Sequence, residues 1–436
     1  MPSLQEQKNL AQAELTQLAE EGAHVEELDR ALKLADEKSP ELQAQALEVF
    51  WRAAAVVGEN LDTAYVEPSL LQLIHAERPD GPRRLPVPDG DLLADRMFGA
   101  WLGRCAGCML GKPVEGWPRE NIEKLLQAAD AYPLDDYFPP IKKLPKGLKW
   151  HPSYHECLRG NITHGVRDDD TDYTVLGLHI LEAHGPQFEP EHVAQEWLLR
   201  LPYHKTYTAE RVAYRNFVND LWPPESAVVM NPYREWIGAQ IRADGFGYGA
   251  PGWPERAADF AWRDASISHT KNGIYGEMFF AALIAACLAM DDLQAAIEVA
   301  LSEIPRNCRL AEAVRDMLVW CGDSWEETWA LVMAKYGHYH PVHTINNACL
   351  VLMGLLHADG DFTKAISIAV MGGLDTDCNG ATAGSVMGAL LGAQGLPEKW
   401  TEPLNDTLYS AIDGFNVNRI SDLAQRSLEV AEKVLS

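Results

Sequence analysis

Basic charge is scarce in this 436-residue chain: 37 lysines and arginines face 63 aspartates and glutamates, a formal charge of −26. A phosphate backbone demands a basic face, so the charge balance excludes nucleic acid as a partner. Long apolar runs are missing as well. The longest, Met278 to Met290, has 13 residues, against the roughly 20 needed to cross a bilayer, and no membrane partner is expected. The start, MPSLQEQKNLAQAELTQLAEE, has no apolar core behind a basic stretch, so no export signal is read there and a soluble, cytoplasmic protein is expected. Cysteines number only 8, and a core this large needs no disulfide staples. Cys105 and Cys108 stand as a lone Cys-x-x-Cys with no second pair or histidine partner, which reads as packing. Strand alternation is almost absent, and so are the Walker loop, Gly-x-Ser-x-Gly and the EF-hand spacing.

What the chain does have is helical periodicity from end to end, which predicts an all-α, multi-helix protein. Residues 4–57 read as two or three amphipathic helices with a break near Lys38-Ser39-Pro40, and 78–90 (RPDGPRRLPVPDG) as a linker. Residues 1–90 are therefore expected to be a helical appendage serving packing, homo-oligomer formation or closure over a cleft. Residues 91–436 are expected to form the catalytic domain. Ile274–Met290, Asp292–Leu301, Leu310–Cys321 and Ile345–His357 are predicted buried helices. Two irregular stretches, 131–167 and the glycine-rich 244–254, are predicted walls of a cleft. Gly99, Gly103, Gly107 and Gly111 recur every four residues, as do Gly380, Gly384, Gly388 and Gly392. Each interior glycine costs a helix about 1 kcal/mol relative to alanine. Close backbone approach is the compensation that fits, so two tightly packed central helices are expected.

Carboxylates gather at two predicted helix starts: Asp168-Asp169-Asp170-Thr171-Asp172, and Gly373-Leu374-Asp375-Thr376-Asp377-Cys378-Asn379. One aspartate at such a position is an ordinary cap. Four within five residues exceed what capping requires, and their repulsion is relieved by a cation. Oxygen donors without a His or Cys cluster select Mg²⁺, Mn²⁺ or Ca²⁺ over zinc. Asp169, Asp170, Asp375 and Asp377 are the expected ligands, with Asp168 beside them.

The stretch DRMFGAWLGRCAGCMLGKPVE (95–115), the Asp-Asp-Asp-Thr helix start, and Gly373–Gly392 followed by Gly395-Leu396-Pro397-Glu398-Lys399-Trp400 come in a fixed order. In that order they resemble the ADP-ribosylglycohydrolase family, in the manner of dinitrogen reductase-activating glycohydrolases. The resemblance covers about 92–430 and implies an all-α domain around two Mg²⁺ or Mn²⁺ ions. The ions would orient the diol of a ribosyl group and activate water against C1″. It implies Asp169, Asp170, Asp375 and Asp377 as metal ligands, and Glu115 and Asp170 as candidates for activating water. Gly238 and Arg242 are similar to a substrate segment, and His269 resembles a histidine near the substrate. Tyr248 and Trp253 of the 244–254 loop would offer a stacking face, and its backbone would meet an anion. Three positions depart from the family pattern: Asp168 where Thr is usual, Cys378 where a hydroxyl is common, and Arg104 where many members carry Asp. They direct the expected substrate toward a small ribosylated molecule at least as much as an ADP-ribosylated protein. The alternative is a protein that binds ADP-ribose or a nucleotide without catalysis.

Overall fold

The glycine stripes form the axis of the molecule. In the computed structural model, which describes residues 3–36, 39–61, 63–141 and 143–436, helix Gly90–Gly111 runs antiparallel to helix Thr376–Leu391. Gly99 faces Gly388, Gly103 faces Gly384, Gly107 faces Gly380, and Gly111 faces Thr376. A Cβ on Gly103 would sit 2.0 Å from the Gly384 carbonyl oxygen, and one on Gly107 would sit 1.9 Å from that of Gly380. The backbones are in direct contact, and the dispersion and Cα–H···O contacts so gained offset the helix cost of the glycines. Gly392 ends the second helix instead of continuing its stripe, with φ +73°.

With this pair included, the described residues form 21 α-helices and one antiparallel ribbon, Thr407–Tyr409 with Val417–Arg419. The apolar segments fold as Lys271–Cys287, Leu293–Leu301, Arg309–Trp320 and Thr344–Leu356. From Asn272 onward the first of these is buried on every face, which is why its apolar residues show no stripe. All eight cysteines are free thiols, and burial raises that of Cys105 to about 12, as a packing role requires.

The N-terminal segment gives three helices, Leu4–Glu20, Glu26–Asp36 and Pro40–Glu59, around their own small core of Leu15, Leu18, Leu28, Leu32, Leu47 and Phe50. Lys38, at the expected break, lies outside the described residues. Buried ion pairs tie these helices to the main domain. Arg234 meets Glu14 at 2.8 Å and Glu21 at 2.6 Å, Lys271 pairs with Glu21, and Arg309 donates to the Glu20 carbonyl at 3.1 Å.

Two expectations are corrected. The 78–90 stretch is no free linker: Arg78 bridges Glu303 (2.7 Å) and Glu255 (2.6 Å), and Leu85 N–H donates to the Gly252 carbonyl. The 244–254 segment is no open loop, because Ala243–Tyr248 is a buried helix. Its glycines serve packing there. A Cβ on Gly245 would lie 3.0 Å from the Thr174 carbonyl oxygen, and one on Gly247 would lie 2.9 Å from that of Ala281.

Candidate metal centre and cleft

Where the two glycine helices end, their chains turn into the acidic motifs. Gly111 leads through a single 3₁₀ turn, Lys112–Val114, to Glu115. The Thr376 hydroxyl donates to the Gly111 carbonyl at 2.8 Å, stitching the end of one helix to the start of the other. Asp375 occupies the N-cap of the second helix without using its side chain as a cap, so its carboxylate is left for other work. Asn347 Oδ1 steadies the turn by accepting from Asp375 N–H and from Asn379 Nδ2. A third contribution comes from helix Asp169–His184, whose N-cap Asp168 accepts from Asp170 N–H at 3.1 Å.

These turns bring together ligand oxygens of Glu115, Asp375 and Asp377, all within 4.8 Å of one another, and those of Asp168, Asp170 and Asp377 within the same limit. Asp377 belongs to both groups. Asp169 opens toward the same cleft, its side chain 29% exposed. Asp168 is also the partner of Lys112, a buried ion pair.

The electrostatics carry the mark of crowded charge. The Asp377 carboxylate, then burial, then Asp168 push Glu115 up to about 9. Burial and Asp168 raise Asp169 to about 8, and burial with Asp168 raises Asp377 to about 6. Asp170 and Asp375 are held well above the carboxylate range, by burial first and neighbouring aspartates second. Asp168 alone goes down, to about 2, because Lys112 outweighs the effect of burial. The buried Oδ1 atoms of Asp170 and Asp377 have no hydrogen-bond donor among the described residues. Buried acceptors of this kind are costly unless something positive satisfies them. Orphaned oxygens, an all-oxygen donor set and mutual repulsion fit hard divalent cations.

The cleft above has a volume of about 810 Å³. Its rim includes His151, Ser153, Glu156, His164 and Arg167, so of the 131–167 stretch it is the part from 151 to 167 that lines it. His151 Nε2 lies 3.3 Å from Glu115 Oε2, and burial followed by Lys112 lowers its pKa. Across the cleft stand Lys205, Tyr207, Glu210 and Gly238. A Cβ on Gly238 would fall 1.8 Å from Glu210 Oε1, so the glycine is what gives that carboxylate its place.

Arg242, Tyr248 and His269 lie elsewhere, and their expected contact with substrate is corrected. Arg242 is buried behind the wall, paired with Asp264, with Glu210 at 3.2 Å and with Glu277 at 3.6 Å, and it donates to the Gly238 carbonyl at 2.8 Å. It holds Gly238 and Glu210 in position. His269 is buried beside it, with Nδ1 2.8 Å from Ser268 Oγ and Nε2 4.0 Å from Glu210 Oε1. Burial, then the Arg242 charge, keep it well below the usual histidine range, hence neutral. Tyr248 is buried with its hydroxyl 2.7 Å from Ser385 Oγ, and Trp253 is flanked by Arg84 and Arg256. Arg104 has a clear task. Fully buried, it pairs with Asp244 at 2.8 Å and donates to the carbonyls of Asp170 (2.7 Å) and Ile241 (2.6 Å), bracing the first acidic turn from below.

The residues that sequence reasoning missed, His151, Arg167, Lys205 and Glu210, come from turns and from a helix whose own pattern is ordinary. No local motif marks them, because only the fold brings them to the same cleft as Asp377.

An "uncharacterized protein" of Archaeoglobus fulgidus is 25% identical over 321 residues, 70% of this chain and 90% of its own length. A solved ADP-ribosylglycohydrolase-related protein complex aligns with 79% of this chain and 99% of its own, at 18% identity and a TM-score of 0.46. Residues 89–434 match the family model for ADP-ribosylglycohydrolase, from the cap of the first glycine helix into the final helix. Both glycine helices and every carboxylate of the cleft floor fall inside that match, and the chain belongs to the ADP-ribosylglycohydrolase family.

Proposed function

We propose that this protein is a metal-dependent hydrolase that cleaves the C1 glycosidic bond of an ADP-ribosyl or ribosyl group. The observation that carries the reading is Asp377, shared by two carboxylate groups and bearing a buried oxygen with no donor. Glu115, Asp375 and Asp377 would hold one divalent ion, and Asp168, Asp170 and Asp377 a second, with Asp169 alongside. When bound, Mg²⁺ or Mn²⁺ supplies Lewis acidity that favours hydroxide over water and organises a ribose diol. With an ion bound and its carboxyl thereby deprotonated, Glu115 would be the general base through the oxygen not on the metal: it borders the cleft, its side chain is 38% exposed, and His151 stands 3.3 Å from it to share the proton. Glu210, on the facing wall, accepts hydrogen bonds from the hydroxyl or amine side of the substrate, because Arg242 and Gly238 fix its carboxylate there.

At about 810 Å³ the cleft exceeds what a bare ribose fills. Lys205 lines it with no carboxylate partner among the described residues, a cation available to a pyrophosphate. Arg167 favours the second reading, a ribosylated small molecule, because its charge is taken up by Asp172 at 2.7 Å and Asp169 at 3.9 Å. The test is kcat/KM with Mg²⁺ or Mn²⁺ for ADP-ribosyl-arginine, an ADP-ribosyl-serine peptide and a panel of ribosides. A preference of about 100-fold for an ADP-ribosyl substrate, roughly 2.7 kcal/mol in the transition state, rejects the small-molecule reading. Absence of turnover on all of them, with metal bound, rejects the hydrolase.

A further inference from the structure

Beside the carboxylate cleft lies a second cavity of about 470 Å³, between helix Thr208–Val218, Tyr203, Tyr233 and the first N-terminal helix. Thr208 lines both cavities. Its φ of +34° puts a β-branched residue in sparsely populated backbone territory on the ridge between them.

Arg211 and Arg215 face this cavity, one helical turn apart. Like charges at that spacing repel each other, yet no carboxylate forms an ion pair with either among the described residues. Arg211 lies over the rings of Tyr203 (5.7 Å) and Tyr207 (5.6 Å), and Arg215 donates to Asn216 Oδ1 at 3.3 Å. Glu6 also lines the cavity, but its carboxylate accepts from Ser3 N–H (2.7 Å) and the Ser3 hydroxyl (2.8 Å) in a helix cap. The arginines sunk deepest in the fold differ. Arg104, Arg234 and Arg309 each meet two carboxylates and Arg242 meets three. In a chain with 63 acidic residues and 37 basic ones, two adjoining guanidinium groups around a cavity whose lining carries a single carboxylate, Glu6, already engaged by Ser3 and only weakly felt by Arg215, indicate an anion from outside the chain. Burial lowers Arg215 from its usual value, a penalty that a bound anion would relieve.

We propose that this cavity is a second subsite that binds the phosphates of a nucleotide. Arg211 and Arg215 supply charge-assisted donors, the geometry guanidinium groups offer to phosphate. Tyr203 and Tyr233 supply aromatic faces for the base. Asn9 and Leu10 close the site from the N-terminal helix, which lies outside the family match. The nucleotide is either the far end of a substrate that crosses the Thr208 ridge from the cleft, or a separate molecule. The inference rests on the hydrolase reading only for that first source.

The test is calorimetric titration of ADP into the full-length protein in EDTA, for wild type, Arg211→Gln, Arg215→Gln and Asp377→Ala, each variant first shown to melt cooperatively. Wild type binds saturably, each arginine variant binds about tenfold more weakly, as expected for a lost charge-assisted bond, and Asp377→Ala binds like wild type. No saturable binding, wild-type affinity in both arginine variants, or loss of binding in Asp377→Ala overturns the proposal. Should Arg215→Gln fail to fold, the exposed Arg211 still decides the matter. Titration of ADP-ribose with Mn²⁺ then separates the sources. Binding tighter than ADP that weakens in both Asp377→Ala and Arg211→Gln means one molecule spans the two cavities, and equal affinity means a separate nucleotide. Failure of the hydrolase reading would leave the ADP titration untouched, so the two failures are distinguishable.

Discussion

Lys112 donates its ammonium proton to Asp168 inside a floor of five further carboxylates, and both partners are buried. The pair is an internal counter-charge for a site that otherwise repels itself. Removing one partner of a buried pair costs about 3–5 kcal/mol because the other is left uncompensated. Lys112→Met is therefore expected to lower Tm in EDTA, and Mn²⁺ is expected to restore more stability to the variant than it adds to wild type. Thermal melts with and without metal check this. An unchanged Tm in EDTA would mean that Asp168 does not depend on Lys112.

Asp377→Ala has the opposite sign without metal. It relieves the repulsion that raises Glu115 and Asp170, so the metal-free protein should be as stable as wild type or more so. Metal content and turnover should fall together, since both carboxylate groups lose a member. Metal analysis after gel filtration provides the measurement, and full occupancy in the variant would remove Asp377 from the ligand set.

Gly103→Val and Gly388→Val should each destabilise by overpacking, about 1–3 kcal/mol or more. The obstacle is backbone on both sides, with Gly384 O and Gly99 O each 2.0 Å from the new Cβ, and no side chain there can give way. Gly116→Ala meets no atom within 4 Å but has φ +74°, so its cost is the conformational one, about 1–2 kcal/mol. Denaturant melts rank the three. Wild-type stability in both valine variants would contradict the contact.

A pH dependence should arise at the N-terminal seam. Burial raises Glu20 from 4.5 to about 7, with Glu235 and Glu21 adding to it while His340 N–H and Arg309 oppose it. A carboxyl whose folded value is raised gives its full stabilisation below about 4.5 and loses it as pH climbs through 7. Glu20→Gln keeps an acceptor for His340 N–H without the ionisation. The variant should match wild type below about pH 4.5 and exceed it increasingly as pH rises to about 7, with the gap constant above that, as read by hydrogen exchange in helix Leu4–Glu20 and by Tm. Parallel pH profiles would show that Glu20 does not govern the seam.

The sequence made the helix pair and the acidic floor legible for one reason. A four-residue glycine period and an Asp-x-Asp at a helix start are local patterns that leave few structural uses. Gly245 and Gly247 show the limit. The same residue type that opens a loop also lets Thr174 and Ala281 approach a helix, and composition does not distinguish the two uses. Arg242 and His269 sit close to the cleft in sequence context but one layer behind it, because Gly238 has no side chain and Glu210 fills the space. Lys205 and His151 carry no pattern at all. Their position is a property of the fold.

The antiparallel glycine helices also set a schedule for synthesis. Glu115 and Lys112 leave the ribosome early, while Asp375, Asp377 and the helix that must lie against Gly99–Gly111 arrive only after most of the chain has been made. Until then the first helix has no partner for its bare backbone face, and contacts so distant in sequence form slowly. A nascent chain that stops short of Asp375 would therefore hold only part of the carboxylate floor, with the backbone face of the first glycine helix uncovered. In this protein the carboxylate floor is complete only once synthesis has passed Asp377.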